Sequence, residues 1–304
     1  MLDIILLGTA GKVPLPKRNL SSAMLSYNGG NLLIDCGEGT QMAIRKNNKK
    51  AKAIDAICIT HFHADHTSGL TGVLLAIANA GREKELAILG PAGIDKIINA
   101  ALVVIPKLPF QIKTVEVKSG KNYHVGGFRL QPFYADHGIS CYGYNVFVDR
   151  RPKFDAEKAR RLMVPEKYWD CLISGSIVFC DDGRTIKPNE VCGGKRAGIK
   201  VSYLTDSRPT DSIVDAVSGA DLLVCEGMYA DPSYTKKAIE SKHMLFSEAS
   251  KIAADAMVSE LWLTHYCQMI TDPVRELENS GCKRIFSNIV AGYDGLCKKL
   301  SFKE

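Results

Sequence analysis

Short apolar runs alternate with segments of helical period and Gly-bearing turns along almost the whole chain, the pattern of strands layered against helices. Apolar runs of strand length predict strands over Asp3–Leu7, Ala23–Tyr27, Asn31–Asp35, Ala56–Thr60, Ala87–Leu89, Phe128–Tyr134, Tyr142–Phe147, Lys200–Leu204, Leu222–Cys225 and Leu261–Thr264. Helical spacing predicts helices over Gly39–Asn47, Ser68–Asn79, Gly93–Val103, Ala156–Leu162, Ser212–Val217, Ser247–Ala256 and Pro273–Asn279. The expected fold class is α/β. One stretch breaks the rhythm: Asp149 to Lys200 is rich in Lys, Arg, Asp, Gly and Pro and holds one short helical period. It reads as an arm or insertion, 149–200, in a single domain spanning 1–304, the plain alternative being a long surface loop.

A faint internal echo runs through the pattern. Leu32-Leu33-Ile34-Asp35-Cys36-Gly37-Glu38-Gly39 is answered by Leu222-Leu223-Val224-Cys225-Glu226-Gly227, and Ile59-Thr60-His61-Phe62 by Leu263-Thr264-His265-Tyr266, in the same order. Two related halves whose strand ends face one crevice would produce this, and such a crevice is where a site is expected.

Composition narrows the class without naming a chemistry. The 304 residues are 46% hydrophobic and 24% charged, with 26 Gly and 12 Pro, which excludes extensive disorder and collagen-like sequence. The 39 Lys+Arg against 33 Asp+Glu leave +6, a mild bias towards an anionic partner. The uncharged stretch Thr67 to Gly81 is too short and too polar to cross a bilayer, and Asp3 stands where an export signal would carry Lys or Arg. The expectation is a cytoplasmic protein with no membrane span. Ten cysteines are scattered without a C-x-x-C pair, so they read as reduced core residues rather than disulfides or a sulfur-bound zinc cluster. Lys46 to Lys52 reads as a solvated helix end rather than a nucleic-acid grip.

The stretch that carries chemistry is Thr60-His61-Phe62-His63-Ala64-Asp65-His66, three imidazoles and a carboxylate directly after an apolar strand. Alternation on an extended segment sends His61 and His63 the same way, and the turn that follows presents Asp65 and His66 as a second group. That arrangement suits two metal ions. Imidazole and carboxylate donors match Zn²⁺ first, with Mn²⁺ or Fe as substitutes. Two ions need more ligands than this segment supplies. His137, in Ala135-Asp136-His137-Gly138, and His265, after Leu261–Thr264, follow strands. Asp206 also follows a strand, in Tyr203-Leu204-Thr205-Asp206, and a carboxylate can bridge two ions. His124 stands apart and reads as structural.

These residues make the chain resemble the metallo-β-lactamase superfamily and, within it, the ribonuclease Z family, endonucleases that trim the 3′ end of precursor tRNA. The ordered motifs run nearly end to end: Asp35 after a strand, then His61, His63, Asp65 and His66, then His137, Asp206 and His265. Narrower likenesses are Leu7-Gly8-Thr9 followed by Pro14…Arg18-Asn19, the Gly90-Pro91 turn, Asp136-His137-Gly138-Ile139 with Gly143-Tyr144, and Thr205-Asp206-Ser207-Arg208-Pro209. The resemblance implies a four-layer αββα sandwich of two mixed sheets with the metal site at one edge. It implies two Zn²⁺, one bound by His61, His63 and His137, the other by Asp65, His66 and His265, with Asp206 bridging and Asp35 holding the histidine loop. It also implies Arg18 and Asn19 as substrate-binding residues on a loop near the site that contacts RNA or the partner subunit, a homodimer, and a tRNA-gripping arm in the interval that here holds Asp149–Lys200. Departures are visible: Cys225-Glu226-Gly227-Met228 stands for His-Glu-Ala-Thr, His243-Met244-Leu245 for His-Ser-Thr, and Val164-Pro165-Glu166-Lys167-Tyr168-Trp169 for a Gly-Pro-rich arm signature.

The chemistry expected on this basis is attack of metal-activated water on the phosphodiester. Asp65 orients it or takes its proton, and His243, steered by Glu226, protonates the departing 3′ oxygen. The alternative enzyme is a phosphodiesterase of the same fold acting on cyclic nucleotides or other small diesters. A non-catalytic RNA-binding relative is the reading from a different class, and it would be expected to lack ligands.

Overall fold

A computed structural model describes residues 1–194 and 196–303 of the chain. Within them, two seven-stranded mixed sheets build one compact unit, Met1–Phe147 with Lys200–Ser301. Across the first sheet the strands run Cys297–Leu300, Leu2–Gly8, Ser22–Tyr27, Gly30–Ile34, Ile54–Cys58, Leu86–Gly90 and Ile112–Glu116, antiparallel as far as Gly30–Ile34 and parallel beyond it. Across the second they run Ile289–Ala291, Leu261–Thr264, Leu222–Glu226, Arg196–Leu204, Tyr142–Arg150, Phe128–Tyr134 and Tyr123–Val125. Its first four strands are parallel and its last three antiparallel. The echo seen in the sequence falls on matching places: Gly30–Ile34 lies parallel beside Ile54–Cys58, and Leu222–Glu226 parallel beside Leu261–Thr264.

Both faces of each sheet are buried, which requires four layers. Ile5, Leu7, Leu33 and Ile57 pack under helices Thr40–Lys46, Leu70–Asn79 and Ile94–Leu102, whose Ile44, Leu74 and Ile98 close that core. Leu204, Leu223, Cys225 and Leu263 pack likewise under Asp211–Val217, Phe246–Asp255 and Pro273–Asn279. The alternate residues, Ile4, Leu6, Leu32, Tyr203, Val224 and Trp262 among them, are also buried and point into the space between the sheets. There Tyr144 of the second sheet donates its hydroxyl to the Ile59 carbonyl at the end of a first-sheet strand, 2.8 Å.

The hairpin joining Ser22–Tyr27 to Gly30–Ile34 turns through Asn28 and Gly29 alone, at φ 48° and 84°, the two-residue left-handed turn that an Asn-Gly pair favours. In the two large sheets, the strands without a sequence signal are Ile112–Glu116, Tyr123–Val125, Ile289–Ala291 and Cys297–Leu300. All four are sheet edges, where half-exposed, lysine-bearing strands such as Cys297-Lys298-Lys299-Leu300 carry no apolar alternation. The expectation for the cysteines holds in part. All ten are free, but Cys171 and Cys297 are exposed and Cys192 and Cys267 half-buried, so four lie outside the core. Among the described residues no helix is long and apolar enough to cross a membrane.

The second compact unit is Val148–Ile199 with Phe302–Glu304. The surface-loop alternative for this stretch does not hold, because it has a core of its own: Ala159, Val164, Leu172, Val178, Ile186 and Val191 are buried, with Phe154 and Trp169 packed against them. Helices Ala156–Arg161, Trp169–Ile173 and Pro188–Val191 and a short hairpin, Val178–Phe179 with Thr185–Ile186, surround it. The departure segment Val164–Trp169 supplies part of that core, and the Trp169 indole donates to the Val164 carbonyl at 3.0 Å.

Candidate metal centre

The site is assembled where strands of both sheets end at their carboxyl termini, the crevice position expected for α/β folds. Ile54–Cys58 leads to His61, His63, Asp65 and His66, Gly30–Ile34 to Asp35, Arg196–Leu204 to Asp206, and Leu261–Thr264 to His265. His137 follows Phe128–Tyr134. Three of these turns hold a non-glycine residue in left-handed backbone, Asp35 at φ 56°, Asp206 at 42° and His265 at 58°. Such a conformation costs about 1–3 kcal/mol per residue and clusters where function demands a fixed side-chain direction. The loops meet closely because Gly37 and Gly69 lack side chains: a Cβ on Gly69 would fall 2.2 Å from the Gly37 carbonyl oxygen.

All seven candidate ligands come together in two groups that share Asp206. In each group one ligand atom per residue lies within 4.8 Å of all the others: His61, His63, His137 and Asp206 form one, Asp65, His66, His265 and Asp206 the other. Asp206 Oδ2 stands 3.4 Å from His137 Nε2 and 3.7 Å from His61 Nε2, while its Oδ1 stands 3.1 Å from both His66 Nε2 and His265 Nε2. His63 Nδ1 lies 3.0 Å from His61 Nε2 and 3.1 Å from His137 Nε2. His63 is also the exposed member, so the site opens to solvent on its side.

Partners on the far side of the rings fix which nitrogen faces inward, the arrangement typical of metal-binding imidazoles. Asp35 holds His66 Nδ1 at 2.7 Å, Ser21 Oγ holds His265 Nδ1 at 2.6 Å, Thr60 Oγ1 holds His61 Nδ1 at 3.1 Å, and the Lys242 carbonyl holds His137 Nδ1 at 3.1 Å. Asp35 also accepts from the Thr60 backbone at 2.8 Å. What remains inside is unpaired: His66 Nε2, His265 Nε2 and Asp206 Oδ1 are buried without a hydrogen-bond partner. Buried polar atoms are almost always satisfied, and three orphans converging on one point, in an all-nitrogen-and-oxygen donor set, fit divalent cations.

The electrostatics agree. Burial, with the neighbouring imidazoles, holds His61 neutral, and burial likewise lowers His137. Burial opposes charge on His66 too, but Asp206 and Asp35 outweigh it and raise that imidazole well above its ordinary value. Asp206 is depressed well below the carboxylate range: burial would raise it, and His265, His66 and His61 overcome the burial. A proton on His66 thus offsets the charge of Asp206 and Asp35 when no cation does, so cation uptake should release it.

Beside this centre, Glu226 ends strand Leu222–Glu226 and reaches His243 Nδ1 at 3.1 Å. His243 lies 3.9 Å from Asp206 Oδ2 and is fully enclosed. Burial lowers its affinity for a proton, but the Glu226 charge and hydrogen bond prevail and the imidazole titrates above its ordinary value. Asp65, whose Oδ2 accepts from the Lys12 backbone at 2.8 Å, is lowered: burial raises it, and His66 and His265 outweigh burial. Arg18 and Asn19 are engaged within the chain. Arg18 donates to the Ile270 and Thr271 carbonyls at 2.7 and 3.3 Å, and Asn19 donates its amide to the Leu7 carbonyl at 3.1 Å. Sequence reading missed Ser21, Thr60 and Lys242 as ring holders, and it names Arg208 only within a motif, without the role seen here: Arg208 pairs with Glu248 and donates to the His243 carbonyl at 2.5 Å. His124 lies in an edge strand away from the centre.

Comparison with known proteins decides the family. A ribonuclease Z of Clostridium kluyveri is 45% identical over 306 residues, covering 100% of both chains, and one of Agathobacter rectalis is 44% identical over 305 residues with the same coverage. The chain belongs to the ribonuclease Z family. As a member of the ribonuclease Z family it is an enzyme, a metal-dependent hydrolase of phosphodiester bonds. A family model described as "Anti-Pycsar protein Apyc1" also matches residues 2–168. Among solved structures, human tRNase Z, short form, superposes with a TM-score of 0.69 at 24% identity, covering 99% of this chain and 100% of that one. The metallo-β-lactamase fold protein YhfI of Bacillus subtilis superposes with a TM-score of 0.69 at 21% identity, covering 98% of each. The two-sheet, four-layer architecture is the metallo-β-lactamase fold.

A test of the ring holders follows from the geometry. Asp35→Asn keeps the shape but removes the charge that faces His66 and one acceptor of the Thr60 bonds. Second-sphere losses of this kind cost about 10–100-fold in metal affinity, so competition against a chelator should show Asp35→Asn releasing metal at 10–100-fold lower chelator strength. Affinity equal to the parent would deny Asp35 that role.

Proposed function

We propose that this enzyme trims the 3′ side of precursor tRNA at a pair of divalent cations, zinc in the first instance, leaving a 3′-hydroxyl on the tRNA. The observation that carries the reading is Asp206, whose two oxygens each face a separate set of imidazoles. His61, His63 and His137 would hold one cation, Asp65, His66 and His265 the other, with Asp206 between. Bound there, the pair would neutralise charge on the scissile phosphate and bring the pKa of water towards ~7. The chain's own residues do the rest. Asp65, held by the Lys12 amide, orients the attacking water or takes its proton at Oδ2. His243, carried by Glu226, gives a proton to the departing 3′ oxygen.

Arg18 and Asn19 enter this reading through the loop they hold at the site's rim, with Asn19's backbone amide bound to Asp294 at 2.6 Å. Residues 149–200 serve as the arm for the RNA, in a cytoplasmic homodimer whose existence light scattering in solution would check. Support comes from the family, from the twofold ligand set and from the +6 charge. Incubation with a defined precursor tRNA and mapping of both product ends tests the substrate. A small chromogenic diester run in parallel separates this enzyme from one built for small phosphodiesters. Because phosphate contacts release counterions, RNA affinity should fall by a factor on the order of 10³ or more between 50 and 200 mM salt if six or more phosphates are gripped. Binding that is indifferent to salt would count against a polynucleotide substrate.

A further inference from the structure

Next to the metal centre is a cavity of about 140 Å³ to which no role has been given. Its walls are the chain neighbours of three site residues. Met228 follows Glu226 by two positions, Cys267 follows His265 by two, and Lys12 is the residue whose amide binds Asp65. Gly11 forms the partition: a Cβ there would stand 2.8 Å from His265 Nε2. The volume is roughly ten times the ~10–15 Å³ that holds one water, enough for one planar ring and too little for a helical stem. The lining is apolar and polarisable, with Met228, Tyr229 and Met269, and it holds two exposed lysines, Lys12 and Lys237, and no carboxylate. Lys237 Nζ lies 5.7 Å from the Tyr229 ring centre and 5.8 Å from that of Tyr234, which stacks on Tyr229 at 5.3 Å with 8° between planes.

We infer that this cavity is a nucleotide subsite, which takes the base of the nucleotide adjoining the scissile phosphate, with Lys12 and Lys237 on the neighbouring phosphate. The inference rests on the ribonuclease reading above and deepens it. Thioether and aromatic surfaces accept any base face, and the two exposed ammonium groups beside them, Lys12 and Lys237, match the charge of the backbone. A base seated there puts its own phosphate against Gly11 and His265, at the partition the cavity shares with the metal centre.

The test uses the full chain and two precursor tRNAs carrying 4-thiouridine, one on each side of the cleavage position. Irradiation of the bound complex should crosslink one of them to the peptides containing Met228–Tyr229 or Cys267–Met269. Lys237→Met should raise KM for the precursor about five- to tenfold, as loss of one charge-assisted contact does, with kcat changed less. Lys236→Met, one residue along and 3.9 Å from Glu240, is the charge-matched control and should leave KM alone. Crosslinks of both RNAs to other peptides, or equal KM for Lys237→Met and Lys236→Met, would overturn the subsite. Wild-type protein that neither binds nor cuts the precursor is a different result, and it removes the ribonuclease reading itself.

Discussion

Asp206→Ala should lose both cations and cleavage together. The carboxylate is buried at the junction of the two ligand groups, each oxygen turned to a different one. Removing it strips each prospective cation of an anionic ligand and leaves the buried imidazoles of His61, His66 and His265 without their shared counter-charge. Elemental analysis should find fewer than about one ion per chain where two are expected, and cleavage of precursor RNA should drop by more than about 10³-fold, since more than a single charge-stabilising group is lost. Asp206→Asn sharpens the test. An amide has one acceptor oxygen and can serve only one group, so about one ion should remain, with activity still near background. Both variants are read alongside far-UV circular dichroism to confirm folding. An Asp206→Ala protein that keeps two ions would deny Asp206 its place as the ligand the two groups share.

Much of this centre is legible in the sequence because its ligands sit directly after apolar strands. His61, His63, Asp65 and His66 fall within six positions, and His137, Asp206 and His265 each stand within three residues of a strand end. In an α/β fold the carboxyl ends of parallel strands face one crevice, so ligands that are remote in sequence converge once the strands are placed. Less legible is whatever depends on partners far along the chain. Ser21 meets His265 across 244 positions and the Lys242 carbonyl meets His137 across 105, and neither serine nor a backbone oxygen advertises a role. The left-handed turns at Asp35, Asp206 and His265 are invisible for a related reason: local propensity argues against them, and only the surrounding packing imposes them. The stretch 149–200 stands out in the sequence as an arm or insertion, but its core does not, since that core draws single residues from short helices and a two-residue hairpin rather than from one amphipathic face.

His243→Ala should keep the metal and slow cleavage by about 10²–10⁴-fold, the usual worth of a positioned general acid. The imidazole belongs to neither ligand group, yet it lies 3.9 Å from Asp206 and stacks within 5.6 Å of the His265 ring, close enough to reach an oxygen leaving the centre. Its dependence on Glu226 gives a second handle. The acid form is the one present below the imidazole's pKa, and Glu226, once burial has been overcome, holds that pKa up. In Glu226→Gln the support weakens, so the alkaline limb of the pH–rate profile should move to lower pH relative to the parent. A purely structural Glu226 would change stability and leave the limb in place. Leaving-group chemistry separates the acid from a mere packing residue: a nitrophenolate departs without a proton, so His243→Ala should hydrolyse a bis-nitrophenyl phosphate at near the parental rate while failing on RNA. Equal losses on both substrates would take the proton donor away from His243 and return the search to the other groups lining the crevice.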